Sequence, residues 1–365
     1  MRPRRVFVVA GEASGDLYAG QVVRALLKQQ PDVEVRGWGG EELSAAGAQV
    51  TTHYRDLAFM GFLEVVQNLG TIRRNLRRCW DEIVAFEPDL FLGVDFPGFN
   101  LRIARQAKSH GIVVHHYISP SIWAWRKGRL RTIRRDVDRM YVTLPFETPL
   151  YEAVGMDVQF VGHPLLDVPT LSEGNWRSEV GLPEDRPLVA LLPGSRTQEL
   201  KHMLPVLQAA AALLPDSHQA VVAGAPGQPA EAYADVPFPV VFGKTRELLA
   251  AADFAWVTSG TATLEAALLN TPQLIVYKTS AITYFIARAL ARVRHIGLPN
   301  LIAKADVVPE LIQAACTPEA IADRSTGLLP GGAERKRQLD GYASLHRLLG
   351  NPGAAERVAA GILNP

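Results

Sequence analysis

At 365 residues the chain exceeds what one hydrophobic core usually supports, so two domains are expected. A hydrophobic fraction of 48% against 21% charged residues describes a packed globular protein, and a formal net charge of +1 excludes a global pull toward nucleic acid. Two cysteines far apart in sequence, Cys79 and Cys316, exclude a disulfide framework and a cysteine-rich metal site, and no apolar run reaches the length of a membrane span.

The basic start mimics a signal peptide, but its apolar run is too short and ends in Gly11-Glu12. Val6–Ala10 reads as a strand instead, followed by the turn Gly11-Glu12-Ala13-Ser14-Gly15-Asp16. The turn matches neither the dinucleotide glycine pattern nor the Walker pattern, which needs Lys where Asp16 stands. A nucleotide phosphate would meet Glu12 and Asp16 there. Gly11, Ser14, Gly15 and Asp16 therefore suit a neutral, hydroxyl-rich substrate, with a plain structural turn as the alternative.

A helix over Leu17–Gln29 and a strand over Val33–Trp38 follow, then a helix filling much of Phe59–Phe86. Within it Leu63, Val66, Leu69, Leu76 and Trp80 interleave with Arg73, Arg74, Arg77 and Arg78. That mixture fits an anionic lipid surface, or a core helix with a solvated back. The run Leu90–Val94 is a nearly wholly apolar strand ending at Asp95. A low-dielectric setting there would raise the carboxyl pKa and suit Asp95 to taking a proton from a hydroxyl; a turn or capping role before Pro97 is the alternative.

A helix over Leu101–Lys108, a strand over Ile112–Tyr117, strands at Arg139–Thr143 and Gln159–Val161 and a helix at Thr148–Ala153 complete the first half. Ile122-Trp123-Ala124-Trp125-Arg126-Lys127, followed by Arg129, Arg131, Arg134 and Arg135, repeats the aromatic and basic mixture. Asp136-Val137-Asp138 resembles a metal motif of sugar-transfer enzymes but lies among arginines, and His115, His116 and His163 lack metal-ligand spacing. No metal and no cofactor are expected.

Between Pro164 and Pro187 the pattern lapses into Pro, Gly, Asp and Ser, which marks a linker. Strands then recur near Leu188–Leu192, Gln219–Ala223, Val240–Phe242, Phe254–Val257 and Gln273–Tyr277, with helices at Glu199–Leu214, Thr245–Ala251, Leu264–Leu269 and Ile282–Ala291. Strands alternating with helices give an α/β fold: two Rossmann-like domains with parallel sheets facing a cleft. The expected division is 1–165, 166–330 and a C-terminal helical segment, 331–365, packing across domains or onto a partner.

Open α/β sheets bind ligands beyond the carboxyl ends of their strands. After Leu188–Leu192 comes Pro193-Gly194-Ser195-Arg196, where Arg196 is placed to clamp a diphosphate. After Phe254–Val257 comes Thr258-Ser259-Gly260-Thr261, opening a helix that contains Glu265. Unpaired backbone N–H groups, the positive end of the helix dipole and a residue without a side chain make that turn a seat for phosphate; helix capping alone is the alternative.

Taken together, Gly11 to Asp16, Met60-Gly61-Phe62-Leu63-Glu64-Val65, Gly93 to Pro97, Tyr117 to Arg126, Leu192 to Arg196, Ser259 to Glu265 and Leu298-Pro299-Asn300-Leu301 closely resemble the lipid-A-disaccharide synthase family. The motifs follow that family's order to about residue 315. The resemblance implies a GT-B glycosyltransferase that joins UDP-2,3-diacylglucosamine to 2,3-diacylglucosamine 1-phosphate and releases UDP, with inversion and without metal. It implies Asp95 as the base; Gly194, Ser195, Arg196, Ser259, Gly260, Thr261, Glu265 and Asn300 on the UDP side; and Gly11, Ser14, Gly15, Asp16 and Met60 on the acceptor side. It also implies peripheral attachment to the cytoplasmic face of the inner membrane, an anionic surface, through Leu63, Val66 and Leu69, and a possible homodimer. A UDP-sugar epimerase of similar plan and a non-catalytic lipid-binding protein are the rival readings.

Overall fold

The computed structural model describes residues 3–57, 69–122, 129–168, 176–225, 227–280, 284, 285, 288 and 294–364. The chain divides into two compact units, Met1–Val168 with Leu349–Pro365, and Pro169–Leu348.

The first unit runs β1 (Arg5–Ala10), α1 (Ala13–Gln29), β2 (Glu34–Gly39), α2 (Glu41–Ala45), β3 (Gln49–His53), α3 (Leu69–Phe86), β4 (Leu90–Val94), α4 (Pro97–Ser109), β5 (Val113–Tyr117), α5 (Arg129–Asp136), β6 (Arg139–Val142), α6 (Thr148–Glu152) and β7 (Asp157–Phe160). Its sheet has the order β3-β2-β1-β4-β5-β6-β7, with every neighbouring pair parallel. β1 is apolar on both faces because both are covered. Val6, Val8 and Ala10 join one core with α1, while Phe7 and Val9 join another with Ile83, Phe99 and Ile103. β3 was not expected: Gln49-Val50-Thr51-Thr52-His53 is too polar to read as a strand and forms the sheet's edge. α4 begins four residues before the apolar periodicity does, because Pro97 at its first position has the φ a helix needs.

The second unit runs α7 (Trp176–Glu179), β8 (Leu188–Leu192), α8 (Thr197–Ala211), β9 (Gln219–Gly224), β10 (Val240–Phe242), α9 (Thr245–Ala251), β11 (Phe254–Thr258), α10 (Thr261–Leu268), β12 (Gln273–Tyr277), α11 (Leu298–Ala303), β13 (Glu310–Ile312), α12 (Pro318–Ser325) and α13 (Ala333–Leu349). Its parallel sheet is ordered β10-β9-β8-β11-β12-β13. The short edge strand β13 also escaped the sequence pattern. α13 is held to this unit by Gln338, whose amide accepts from Gln273 N at 2.8 Å and donates to Gln273 O at 3.0 Å.

The last helix, α14 (Ala354–Leu363), belongs to the first unit. It buries Val358, Ala359, Ile362 and Leu363 in the same core as Tyr117 and Tyr141. Asp167 accepts from Gly353 N and Ala355 N at its start, and Arg139 donates to Gly361 O and Asn364 O at its end.

Each sheet reverses its strand order once, between β1 and β4 and between β8 and β11. Such switch points open a crevice beyond the carboxyl ends of the strands, where ligands bind. The four glycine or aspartate turns singled out in the sequence follow these four strands. Most of the expected helix Ile282–Ala291 lies outside the described residues, as do the segments 58–68 and 123–128 with their expected lipid contacts. Among the described residues no helix is long and apolar enough to cross a membrane.

Candidate active site

In the first unit Ala10 pairs with Val94, so the turns after β1 and β4 lie side by side. Asp95 and Phe96 both take left-handed backbone, with φ of 47° and 48°. Such conformations cost roughly 1–3 kcal/mol each for residues with side chains, and they persist where the surroundings enforce them. Here Asp95 N donates to Tyr117 O at 2.9 Å. Asn100, fully buried in α4, donates to Asp95 O at 2.8 Å, Val9 O at 3.1 Å and Val94 O at 3.3 Å. Phe96 stacks on Phe99 with ring centroids 5.4 Å apart, and its ring fills the space that a Cβ on Gly11 would need. Gly11 thus admits Phe96, and the two turns interlock. Asp95 emerges half-buried at the rim.

A Cβ on Gly15 would stand at ordinary contact distance from Ala10 and Val94, and Ser14 is half-buried beside it. Asp16, expected at a hydroxyl-rich substrate, is only 2% exposed. One of its carboxylate oxygens accepts from Gly40 N at 2.6 Å and Leu43 N at 3.2 Å, the other from Glu42 N at 3.0 Å. These three bonds take up its charge at the start of α2. Met60, Leu63 and Val66 lie outside the described residues, and Leu69 opens α3.

In the second unit Leu192 pairs with Val257, which sets the turns after β8 and β11 side by side. Gly194 has φ of 107°, and a Cβ there would come within 2.6 Å of Glu199 Cβ, so only glycine fits. The Glu199 carboxylate accepts from Ser195 N at 3.0 Å and Arg196 N at 3.3 Å and pairs with the Arg196 guanidinium at 3.4 Å. A carboxylate of the chain's own α8 therefore occupies these anion-binding N–H groups, and it engages the arginine expected to clamp a diphosphate. Arg196 is half-exposed in this pair while Glu199 is mostly covered, so the guanidinium itself is held weakly, at the roughly 0–1 kcal/mol scale of surface ion pairs. Gln228, which sequence reading missed, donates to Ser195 O at 3.1 Å and props the turn from the β9 side.

Across from it, Ser259 Oγ donates to Ile296 O at 2.9 Å. The hydroxyl proton is thus directed at the protein, and the first turn of α10 has backbone N–H groups with no partner inside the helix, the kind of donor that suits an anion. Gly260 and Thr261 are exposed, and a Cβ on Gly260 would meet only Thr258 O at 3.9 Å, leaving the approach to those N–H groups open. Farther along the helix, burial raises the pKa of Glu265, and Arg246 at 3.1 Å opposes that rise. The pair presents a fixed carboxylate suited to accepting from sugar hydroxyls.

Asn300, expected at the uridine, is fully buried with both ends of its amide engaged. Nδ2 donates to Val308 O at 2.7 Å and to Glu310 at 2.8 Å, while Oδ1 accepts from Val307 N and Val308 N, each at 2.8 Å. These bonds brace the 300–308 loop. Asp136 pairs with Arg135 and Asp138 with Lys108, and among the described residues no group of three or more metal-ligating side chains is present.

A family model described as Lipid-A-disaccharide synthetase matches residues 6–356. The Lipid-A-disaccharide synthase of Syntrophus aciditrophicus (strain SB) is 46% identical over 371 residues, spanning 98% of this chain and 97% of that protein. In fold the chain is similar to UDP-GlcNAc 2-epimerase from Neisseria meningitidis bound to UDP-GlcNAc, with a TM-score of 0.66 at 14% identity, covering 99% of this chain and 100% of that one. It is also similar to the calicheamicin glycosyltransferase CalG4, with a TM-score of 0.59 at 17% identity over 100% and 99% of the two chains. These two likenesses are of fold, the GT-B plan, and the epimerase alternative rests on nothing more. With the family model matched from the first strand to the last helix and the relative matched along nearly its whole length, the chain belongs to the lipid-A-disaccharide synthase family.

Proposed function

We propose that the chain carries out its family's glycosyl transfer with Asp95 as general base and the paired turns of the second unit as donor seat. Family membership makes it a glycosyltransferase of lipid A synthesis. The acceptor is 2,3-diacylglucosamine 1-phosphate and the donor UDP-2,3-diacylglucosamine. Asp95 takes the proton of the acceptor's 6-hydroxyl, whose oxygen attacks the anomeric carbon as UDP departs from the opposite face, inverting that centre. The N–H groups at Gly260 and Thr261 and the Arg196 guanidinium receive the charge developing on the diphosphate. Glu265, held by Arg246, accepts from the ribose hydroxyls.

The observation that carries this reading is the coincidence of all four turns with the two switch points: Gly11 with Asp95 at β1/β4, and Arg196 with Gly260 at β8/β11. Both substrates are acylated, so the reaction takes place at the cytoplasmic face of the inner membrane, with Leu63, Val66 and Leu69 among the basic residues of the 60–80 segment as the lipid contact. Incubation of the purified protein with both acylated glucosamines, read by mass, tests the reading. Disaccharide 1-phosphate and UDP are expected in equal amounts, and UDP release without a disaccharide product would overturn it.

A further inference from the structure

The turn that receives phosphate in the second unit is tied to a carboxylate outside it. Glu310 opens the edge strand β13, with its side chain 9% exposed. One of its oxygens accepts from Ile296 N at 3.0 Å; the other accepts from Gly297 N at 3.0 Å and from Asn300 Nδ2 at 2.8 Å. Ile296 O in turn accepts the Ser259 hydroxyl at 2.9 Å. The 296–297 turn is pressed against the sheet as well, since a Cβ on Gly297 would overlap the Ile275 side chain. One peptide segment is thus gripped from opposite sides, by a buried carboxylate on its N–H groups and by Ser259 on a carbonyl.

We propose that Glu310 is a positioning residue for the donor seat: by fixing the 296–297 turn it sets the Ser259 hydroxyl, and through it the strand-to-helix turn whose N–H groups receive the diphosphate. The proposal rests on the assignment of the Ser259 to Thr261 turn to UDP. Charge and geometry both matter to the clamp. Three donors converge on two oxygens, so an amide in place of the carboxylate turns one N–H···O contact into two opposed donors. A shift of the 296–297 turn would pull the Ser259 oxygen with it and misplace N–H groups whose value depends on their aim.

UDP titration by calorimetry, paired with thermal melting, tests this on the intact chain. Glu310→Gln is expected to raise the UDP dissociation constant about tenfold in protein that remains folded. The double variant with Ser259→Ala should bind no more weakly than the weaker single variant, because both changes act on one connection. Native affinity in folded Glu310→Gln, or fully additive losses, would overturn the proposal. In the unsubstituted protein, hydrogen exchange at the Ile296 and Gly297 amides should slow at least about tenfold when UDP saturates the site, and unchanged exchange would overturn it without recourse to any variant. Failure of the unsubstituted protein to bind UDP would instead remove the donor assignment itself.

Discussion

The side-chain amide of Asn100 donates to the main-chain carbonyl of Asp95 at 2.8 Å, holding in place a residue whose backbone is left-handed. The same amide reaches Val9 O and Val94 O, so the carboxyl ends of β1 and β4 and the aspartate between strand and helix are tied together by one side chain. Asp95→Asn should keep UDP affinity and lower turnover at least about a hundredfold, the scale of a general base. Asn100→Ala should also spare UDP affinity, lower turnover, and cost about 1–3 kcal/mol of stability by stranding buried carbonyls. Near-normal turnover in purified Asp95→Asn would remove that residue from the role of base.

Gly260 has extended backbone, which any residue adopts, and open space where a Cβ would stand. Gly260→Ala should therefore melt at the native temperature while binding UDP about tenfold more weakly, because the added methyl stands in the phosphate's approach. Calorimetric titration beside a melting curve separates the two effects. Unchanged affinity would move the diphosphate away from this turn.

Arg196 and Glu199 make opposite predictions. Arg196→Ala should weaken UDP binding by roughly 1.5–3 kcal/mol, the range for hydrogen bonds to charged groups. Glu199→Gln removes the negative charge that holds the Ser195 and Arg196 N–H groups, so UDP should bind more tightly. Weaker binding in Glu199→Gln would mean that its carboxylate serves the seat instead of competing for it.

Burial lowers the pKa of His115, His116 and His163 in the first unit to about 4 each, Arg139 adding to the effect at His115. Unfolded, each binds a proton near its ordinary value of about 6.5. Between those values the unfolded chain holds more protons, so stability falls as pH drops from about 6.5 toward 4, by up to about 3 kcal/mol for each histidine. Chemical denaturation at pH 7 and pH 5 checks the sign, and equal stability at the two would show that these histidines titrate as they do in water.

Replacing Leu63, Val66 and Leu69 together by Ser should abolish sedimentation with anionic vesicles while leaving UDP binding intact. Continued sedimentation would place the lipid contact elsewhere on the chain.

Much of this site was legible in the residue string because its turns follow short apolar runs. Val257 to Glu265 reads as strand, turn and helix, and the structure has β11 ending at Thr258 and α10 starting at Thr261. What the string hides is what a side chain reaches. Asp16 after its glycine turn looks the same whether it meets a sugar or caps α2, and Asn300 looks the same whether it meets uridine or braces its own loop. Asn100 and Glu310 left no local pattern, since an amide bonded to Val9 from 91 residues away has no periodicity. The strands β3 and β13 were missed because an edge strand covered on fewer sides needs less apolar sequence.

The return of α14 to the first unit fixes an order of events during synthesis. Domains generally fold as units from the amino end as the ribosome extends them. Here the core under Tyr117 and Tyr141 awaits Val358 and Ile362, which are translated only after every residue of Pro169–Leu348. The core of the first unit can therefore close fully only after the whole of the second unit has been synthesised, and the sheet that carries Asp95 receives its α14 cover from residues made later than both.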